Sequence, residues 1–300
     1  MPGNEPAEEW VSRPPSPALR PFVAEYVGYR QAGRAPGIHR GLPSPYLTLI
    51  VTLDEPVTIA AHPDPAIAPG RYDTLIGGLH TAPALISHEG RQSGIQLALN
   101  PCGARALLGL PAGELASVDV DGTEILGSLA NELHERIRTA AAWPRRLAVL
   151  DELLLRRLDH LGHHPDHHPA RPLPPELLHA WRRLLSSGGT ASVADVAQEV
   201  GWSDRYLARH FRTEIGLTPK VAARVIRFDR TRRILQRHAT PADDSGPNLA
   251  TLAAESGYYD QAHLAREFRS LAGCPPSRWL AEEFGNFQVA PDLDRTASRP

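Results

Sequence analysis

The hydrophobic pattern changes character about a third of the way along the chain. Between Phe22 and about Leu99, short apolar runs rich in β-branched residues are cut by glycine and proline: Tyr46–Leu53, Val57–Ala60, Thr74–Gly78, Ala84–His88 and Gly94–Leu99. That texture predicts a small sandwich or barrel of strands. From Pro101 the spacing turns helical. Pro101–Leu110 reads as a short helix with proline in its first turn. Ile125 to about Thr139 and Trp143 to about His160 read as longer helices. In the second, Leu147, Leu150, Leu154 and Leu158 share one face. That face suits either the chain's own core or a seam with a second copy; the core is the expectation taken here. Glu176 to about Glu283 is helical, broken once between about His238 and Asn248 by Pro241 and Pro247.

This divides the chain into a loose polar arm (1–17), a β-rich domain closed by helices (18–161), a linker (162–175), an all-helical domain (176–284) and a tail (285–300). The linker carries His163, His164, His167 and His168 among prolines. Proline stiffens it, and an unscaffolded histidine tract is read as linker rather than metal site.

Charge enters next. The 300 residues hold 32 basic and 34 acidic side chains, a net of -2, so nothing global marks the chain for polyanions. Charge therefore has to be read locally. Cys102 and Cys274 are too few and too far apart for a disulfide framework, which fits a reducing compartment. The N-terminus, MPGNEPAEEW, lacks the basic and apolar regions of a signal peptide. No apolar run approaches the roughly 18 residues of a membrane span. A cytoplasmic protein is expected.

The helical domain contains an internal repeat. Val193–Phe211 and Leu249–Phe268 align, with Ala197 matching Ala253, Gly201 matching Gly257, and Leu-Ala-Arg-His-Phe211 matching Leu-Ala-Arg-Glu-Phe268; the second copy has one extra residue in its turn. Val193/Val196 and Leu249/Leu252 are placed to face a core, and the small alanines let two helices cross closely. The glycines can adopt the left-handed conformation that ends a helix. Trp202 and Tyr258 or Tyr259 plug the turn. Ser203 and Asp260 stand where an N-cap is needed. Leu207/Phe211 and Leu264/Phe268 bury the inner face of the next helix. Helix, glycine turn and capped helix together make a helix-turn-helix.

The outer face of each second helix is left for DNA: Arg205, Ala208, Arg209 and Arg212 in the first unit, and Gln261, Ala262, Ala265, Arg266 and Arg269 in the second. Arginine can pair with guanine, glutamine with adenine, and alanine can touch a thymine methyl. From Val193 to Arg237, ten basic residues face five acidic ones. The basic face is therefore local. It extends along a helix from Val221 to about Arg237 that bears Arg224, Arg227, Arg230, Arg232, Arg233 and Arg237.

Residues 176–283 resemble the DNA-binding domain of the AraC/XylS family through Gly216-Leu-Thr-Pro-Lys220, Gly257-Tyr-Tyr-Asp-Gln-Ala-His-Leu264 and Ala272-Gly-Cys-Pro-Pro-Ser-Arg-Trp-Leu280. The resemblance implies a sequence-specific bacterial transcription regulator. Its two second helices would enter the major groove of double-stranded DNA about one turn apart. It assigns base contacts to Arg205, Arg209, Gln261, Ala262 and Arg266. Backbone contacts fall to Ser203, Tyr206, Arg212, Thr218, Lys220, His263 and Arg269. Gly37–Ser44 and Asn100–Pro111 likewise resemble the cupin-like sensor half of some family members. The expected fold is thus α+β: a cupin-like barrel with flanking helices, then two helix-turn-helix units joined by a long helix. The partners implied are DNA, a small-molecule effector, RNA polymerase and a second copy of the chain.

No catalytic residue, cofactor or metal site is expected. His39, His62, His80 and His88 are scattered, without the His-x-His pair of metal-holding cupins. A DNA-repair alkyl acceptor is disfavoured because Cys102 lies in Asn-Pro-Cys-Gly. A non-specific nucleoid binder is disfavoured by the net charge.

Overall fold

In the computed structural model, the described residues are 7–163, 173–238 and 248–285. The linker histidines His164, His167 and His168 and the break at 239–247 lie outside them. Ten strands form two antiparallel sheets. They are β1 (Ala7–Arg13), β2 (Val23–Ala32), β3 (Gly37–Gly41), β4 (Leu47–Thr52), β5 (Val57–Ala61), β6 (Gly70–Tyr72), β7 (Thr74–Gly77), β8 (Ala84–His88), β9 (Gln92–Leu99) and β10 (Asp119–Asp121). One sheet runs β1-β2-β9-β4-β7-β10 and the other β3-β8-β5-β6.

Part of the expected loose arm is instead β1, paired in register with β2 from Ala7↔Ala32 to Arg13↔Tyr26. Its sequence, AEEWVSR, is largely polar and shows no regular alternation, and its exposed charges suit a sheet edge. Trp10 packs on Tyr29. Arg13 pairs with Asp151, whose other oxygen accepts from the Tyr26 hydroxyl at 3.0 Å. These contacts tie the strand to the helical layer.

The helices of this half are α1 (Ala104–Leu108), α2 (Gly122–Leu126), α3 (Ser128–Thr139) and α4 (Trp143–His163). The segment read as one helix from Ile125 is broken at Gly127, which takes φ +61. Leu147, Leu150, Leu154 and Leu158 all pack into one core with Leu49, Leu97 and Leu99 of the six-stranded sheet. These leucines are thereby used inside the chain and leave no apolar seam. The opposite face of the sheet meets the four-stranded one through Ile50, Leu75, Val57, Ile59 and Ile86.

The second half comprises α5 (Pro175–Ser186), α6 (Val193–Glu199), α7 (Asp204–Glu214), α8 (Pro219–His238), α9 (Leu249–Glu255), α10 (Gln261–Ala272) and α11 (Pro276–Gly285). Trp181, Phe211, Phe228, Phe268 and Trp279 are the bulk of its core, and Leu79 from the β-half is buried in the same cluster. Further contacts dock the halves. Arg105 of α1 forms a two-pronged ion pair with Glu214 at the end of α7, at 2.7 and 2.9 Å. Arg40 of β3 holds Glu282 of α11 at 3.0 Å. Gly113 lies so close to the Thr213 carbonyl that a Cβ there would overlap it. No helix among the described residues is long and apolar enough to cross a membrane.

Candidate nucleic-acid interface

Both repeats close in the same way. Gly201 and Gly257 take φ +69 and +74. Trp202 N–H donates to the Ala197 carbonyl and Gly201 N–H to that of Gln198; Tyr258 and Gly257 do the same to Ala253 and Ala254. This Schellman closure satisfies carbonyls that the helix end would otherwise orphan. The Ser203 hydroxyl accepts from Tyr206 N–H at 3.3 Å, and Asp260 from His263 N–H at 2.6 Å. Each second helix thus starts on a real N-cap. Leu207, Phe211, Leu264 and Phe268 are fully buried, and Ala197 and Ala253 sit at the helix crossings. Tyr258 is the plug of the second turn, whereas Tyr259 is 93% exposed.

With the inner faces so fixed, the outer faces present Arg205, Arg209 and Arg212 on α7 and Gln261, Ala262, Arg266 and Arg269 on α10, all exposed. Lys220, in the first turn of α8, is exposed too. No carboxylate among the described residues pairs with these cations, so their charge is available to a phosphate or a base edge. Thr218, Ser203 and His263 already have intramolecular work. The Thr218 hydroxyl caps α8 through Val221 N–H. The His263 Nδ1 accepts from Tyr259 N–H, which leaves Nε2 as the ring's donor.

The basic linking helix departs from expectation. Arg224 and Arg227 both hold Glu267 on the buried side of α10, at 2.6 and 3.1 Å. Arg227 also lies over the Tyr258 ring at 4.9 Å. Arg232 and Arg233 both bind Asp229. Burial pulls the Asp229 carboxyl upward, and the two guanidiniums outweigh it and hold it below its usual range. Four of the cations counted toward a DNA face are therefore spent inside the molecule. The Asp229 pairs carry the i,i+3 and i,i+4 spacing that sequence shows directly. Glu267 is a lone charge beside Phe268 on a buried face. Neither signal entered the charge count.

Sequence reading also missed an aromatic cluster on the first unit. Trp202 meets Tyr206 edge-on with centroids 4.8 Å apart, and His210 lies 4.4 Å from Tyr206 and 5.0 Å from Trp202. The Arg209 guanidinium lies over the Tyr206 ring at 4.9 Å.

Behind α8 lies a cavity of about 160 Å³ between the two sheets. Ile50, Val57, Ile59, Leu75 and Ile86 line its interior, and Arg40, Arg232 and Arg233 contribute cationic groups to its wall. Arg232 and Arg233 belong to the helical half, so one wall of the cavity is the helix that joins the two helix-turn-helix units. His39 and His88 stack 5.9 Å apart near it. Burial, with His88 adding to it, pushes His39 down to about 3 and keeps it neutral. His62 Nδ1 lies 2.9 Å from Asp119, and its Nε2 meets the Tyr72 hydroxyl at 3.3 Å. Among the described residues no group of three or more His, Cys, Asp or Glu side chains could hold a metal ion. Both cysteines are free thiols. Burial pushes Cys102 up to about 12, which makes it a poor nucleophile.

Two capped helix-turn-helix units on a shared core, joined by a long helix and docked on a β-sandwich, define a DNA-binding regulator. The helix-turn-helix domain is of the AraC type. A helix-turn-helix domain model matches residues 196–282, and that of a domain of unknown function, DUF6597, matches residues 12–121. Among solved structures, the apo form of a ToxT variant from Vibrio cholerae is similar over 86% of this chain and 97% of its own, at 11% identity and TM-score 0.50. Wild-type ToxT of the same organism, with an unsaturated fatty acid bound, is similar over 92% and 100%, at 11% identity and TM-score 0.49. The AraC-like transcriptional activator CuxR is similar over 76% and 86%, at 16% identity and TM-score 0.26. No curated protein matches the chain significantly in sequence.

Proposed function

We propose that the protein is a sequence-specific transcription regulator that reads two successive major-groove segments with α7 and α10. The observation that carries this reading is the matched presentation of Arg209 and Arg266. They hold the same place on two helices capped and buried alike, and both are exposed with no carboxylate partner among the described residues. Arg205, Arg209, Gln261, Ala262 and Arg266 face base edges in this reading. Ser203, Arg212, Thr218, Lys220, His263 and Arg269 stand toward the backbone and set the register, while the Tyr206 ring lies beneath Arg209. The cavity between the sheets, lined by apolar residues together with Glu25, Asp119 and the Asp229-paired Arg232 and Arg233, is the place for a small-molecule effector. Its wall is continuous with the helix joining the two DNA readers.

Arg209→Ala and Arg266→Ala should each weaken binding to a selected site by about 1–3 kcal/mol and relax preference at one base position. Unchanged affinity and unchanged preference in both variants would overturn the assignment. For the effector, thermal stability of the full chain is measured against a panel of small organic anions. A rise that is lost in Arg233→Ala supports the cavity. A rise that survives the substitution places the ligand elsewhere.

A further inference from the structure

The two reading helices are not equivalent, and the difference lies beneath the arginines. Tyr206 is 40% exposed, unusual for an aromatic ring on a helix with a complete buried face. Its neighbours define its orientation. Trp202, half-buried at the turn, abuts it edge-on, and His210, one turn along α7, lies against it. Both contacts are within the distance at which ring pairs stabilise one another. The ring is therefore held from two sides, and the Arg209 guanidinium rests over it. Residues three apart on a helix share a face, so the ring at position 206 is placed to set the direction of the side chain at 209. No carboxylate among the described residues competes for Arg209.

In α10 the residue in register with Tyr206 is His263. Its ring turns the other way, accepting from Tyr259 N–H and meeting the edge of Tyr258 at 5.4 Å. Among the described residues no ring underlies Arg266. One reading arginine is thus pre-oriented on an aromatic platform and the other is not.

We infer that Tyr206 is a positioning residue for Arg209. Its ring holds the guanidinium in the attitude needed for two-pronged pairing with a guanine, and the first unit thereby supplies the sharper base discrimination. The inference rests on the reading of α7 as a base-reading helix. A flexible arginine loses rotamer freedom on pairing. A side chain already laid on a ring loses less, so the platform strengthens pairing with the correct base more than it strengthens general attraction to phosphate. An exposed cation–π contact corresponds to about a two- to fivefold effect.

The test uses the full chain and a DNA duplex selected from a random pool by the wild-type protein. Partner duplexes are changed at the one position where Arg209→Ala relaxes preference. Tyr206→Phe, Tyr206→Leu, Arg209→Ala and the Tyr206→Leu/Arg209→Ala double variant are titrated on both duplexes, with circular dichroism confirming folding. Tyr206→Phe keeps the ring and should keep wild-type discrimination. Tyr206→Leu should reduce discrimination at that position about two- to fivefold and leave affinity for the changed duplex nearly unaltered. In the Arg209→Ala background, Tyr206→Leu should change nothing further.

A Tyr206→Leu loss equal on both duplexes would overturn the inference and make Tyr206 a backbone contact. So would a Tyr206→Phe loss as large as that of Tyr206→Leu, since the hydroxyl would then carry the effect. Unaltered discrimination in Tyr206→Leu overturns it as well. Failure of the underlying reading looks different: Arg209→Ala itself would relax no position.

Discussion

Glu267 is the most informative residue to change, because the competing accounts of the linking helix predict opposite results. It sits on the buried side of α10, 9% exposed, and accepts from Arg224 and Arg227. The arginine side chains are 33% and 16% exposed. Glu267→Gln preserves shape and removes the charge that holds both. Breaking a fully buried pair costs about 3–5 kcal/mol; because Arg224 keeps part of its hydration, about 2 kcal/mol is expected here. The loss should appear in thermal unfolding and, locally, as faster hydrogen exchange of α10 amides. Arg224 and Arg227 are structural in this account, so the salt dependence of DNA affinity should be nearly that of the wild type. If they instead grip phosphate once released, the slope of log affinity on log salt should steepen by about 0.9 for each. Wild-type stability together with a steeper slope would refute the structural role of α8.

Other consequences follow from the same geometry. His39 is held neutral by burial, with a value of about 3 against the usual 6.5. The unfolded chain therefore binds the extra proton first. Stability should be level above about pH 6.5 and fall as pH drops toward 3, with a slope approaching about 1.4 kcal/mol per unit. His39→Gln should flatten that limb in denaturant titrations at different pH, and an unchanged slope would refute it. Asp229 is held below its usual 3.8. Its contribution is present above about pH 4 and lost as pH falls through the lower folded value, so Asp229→Asn should remove part of the acid transition. Gly113→Ala places a Cβ onto the Thr213 carbonyl. It should loosen the docking of the two halves, read as faster exchange of the Ile215 and Gly216 amides that now donate to Phe211.

The repeat was legible because its constraints are local. A glycine at positive φ, a capping side chain and apolar residues four apart name one geometry twice. The strands β4, β5, β7, β8 and β9 were legible because each is a short apolar run bounded by turn residues. β1 was not, because as a polar edge strand its order comes from pairing with β2 and from Asp151 of α4, far away in sequence. β10 is three residues, Asp-Val-Asp, whose pairing with β7 no local pattern announces. The exposure of the α7 and α10 arginines was legible, and that of the linking helix's arginines was misjudged. A charge count records a cation without its partner, and the partner of Arg224 and Arg227 lies on another helix. The α8 wall of the cavity was hidden likewise, since Arg232 and Arg233 come from the other half of the chain.

The central claim is that α7 and α10 read sequence, and selection of duplexes from a random pool by the full chain tests it most directly. The account predicts a motif of two blocks about one helical turn apart, roughly 10 base pairs centre to centre. Arg209→Ala should blur one block and Arg266→Ala the other. Recovery of no motif, or of a motif that neither substitution changes, would contradict it.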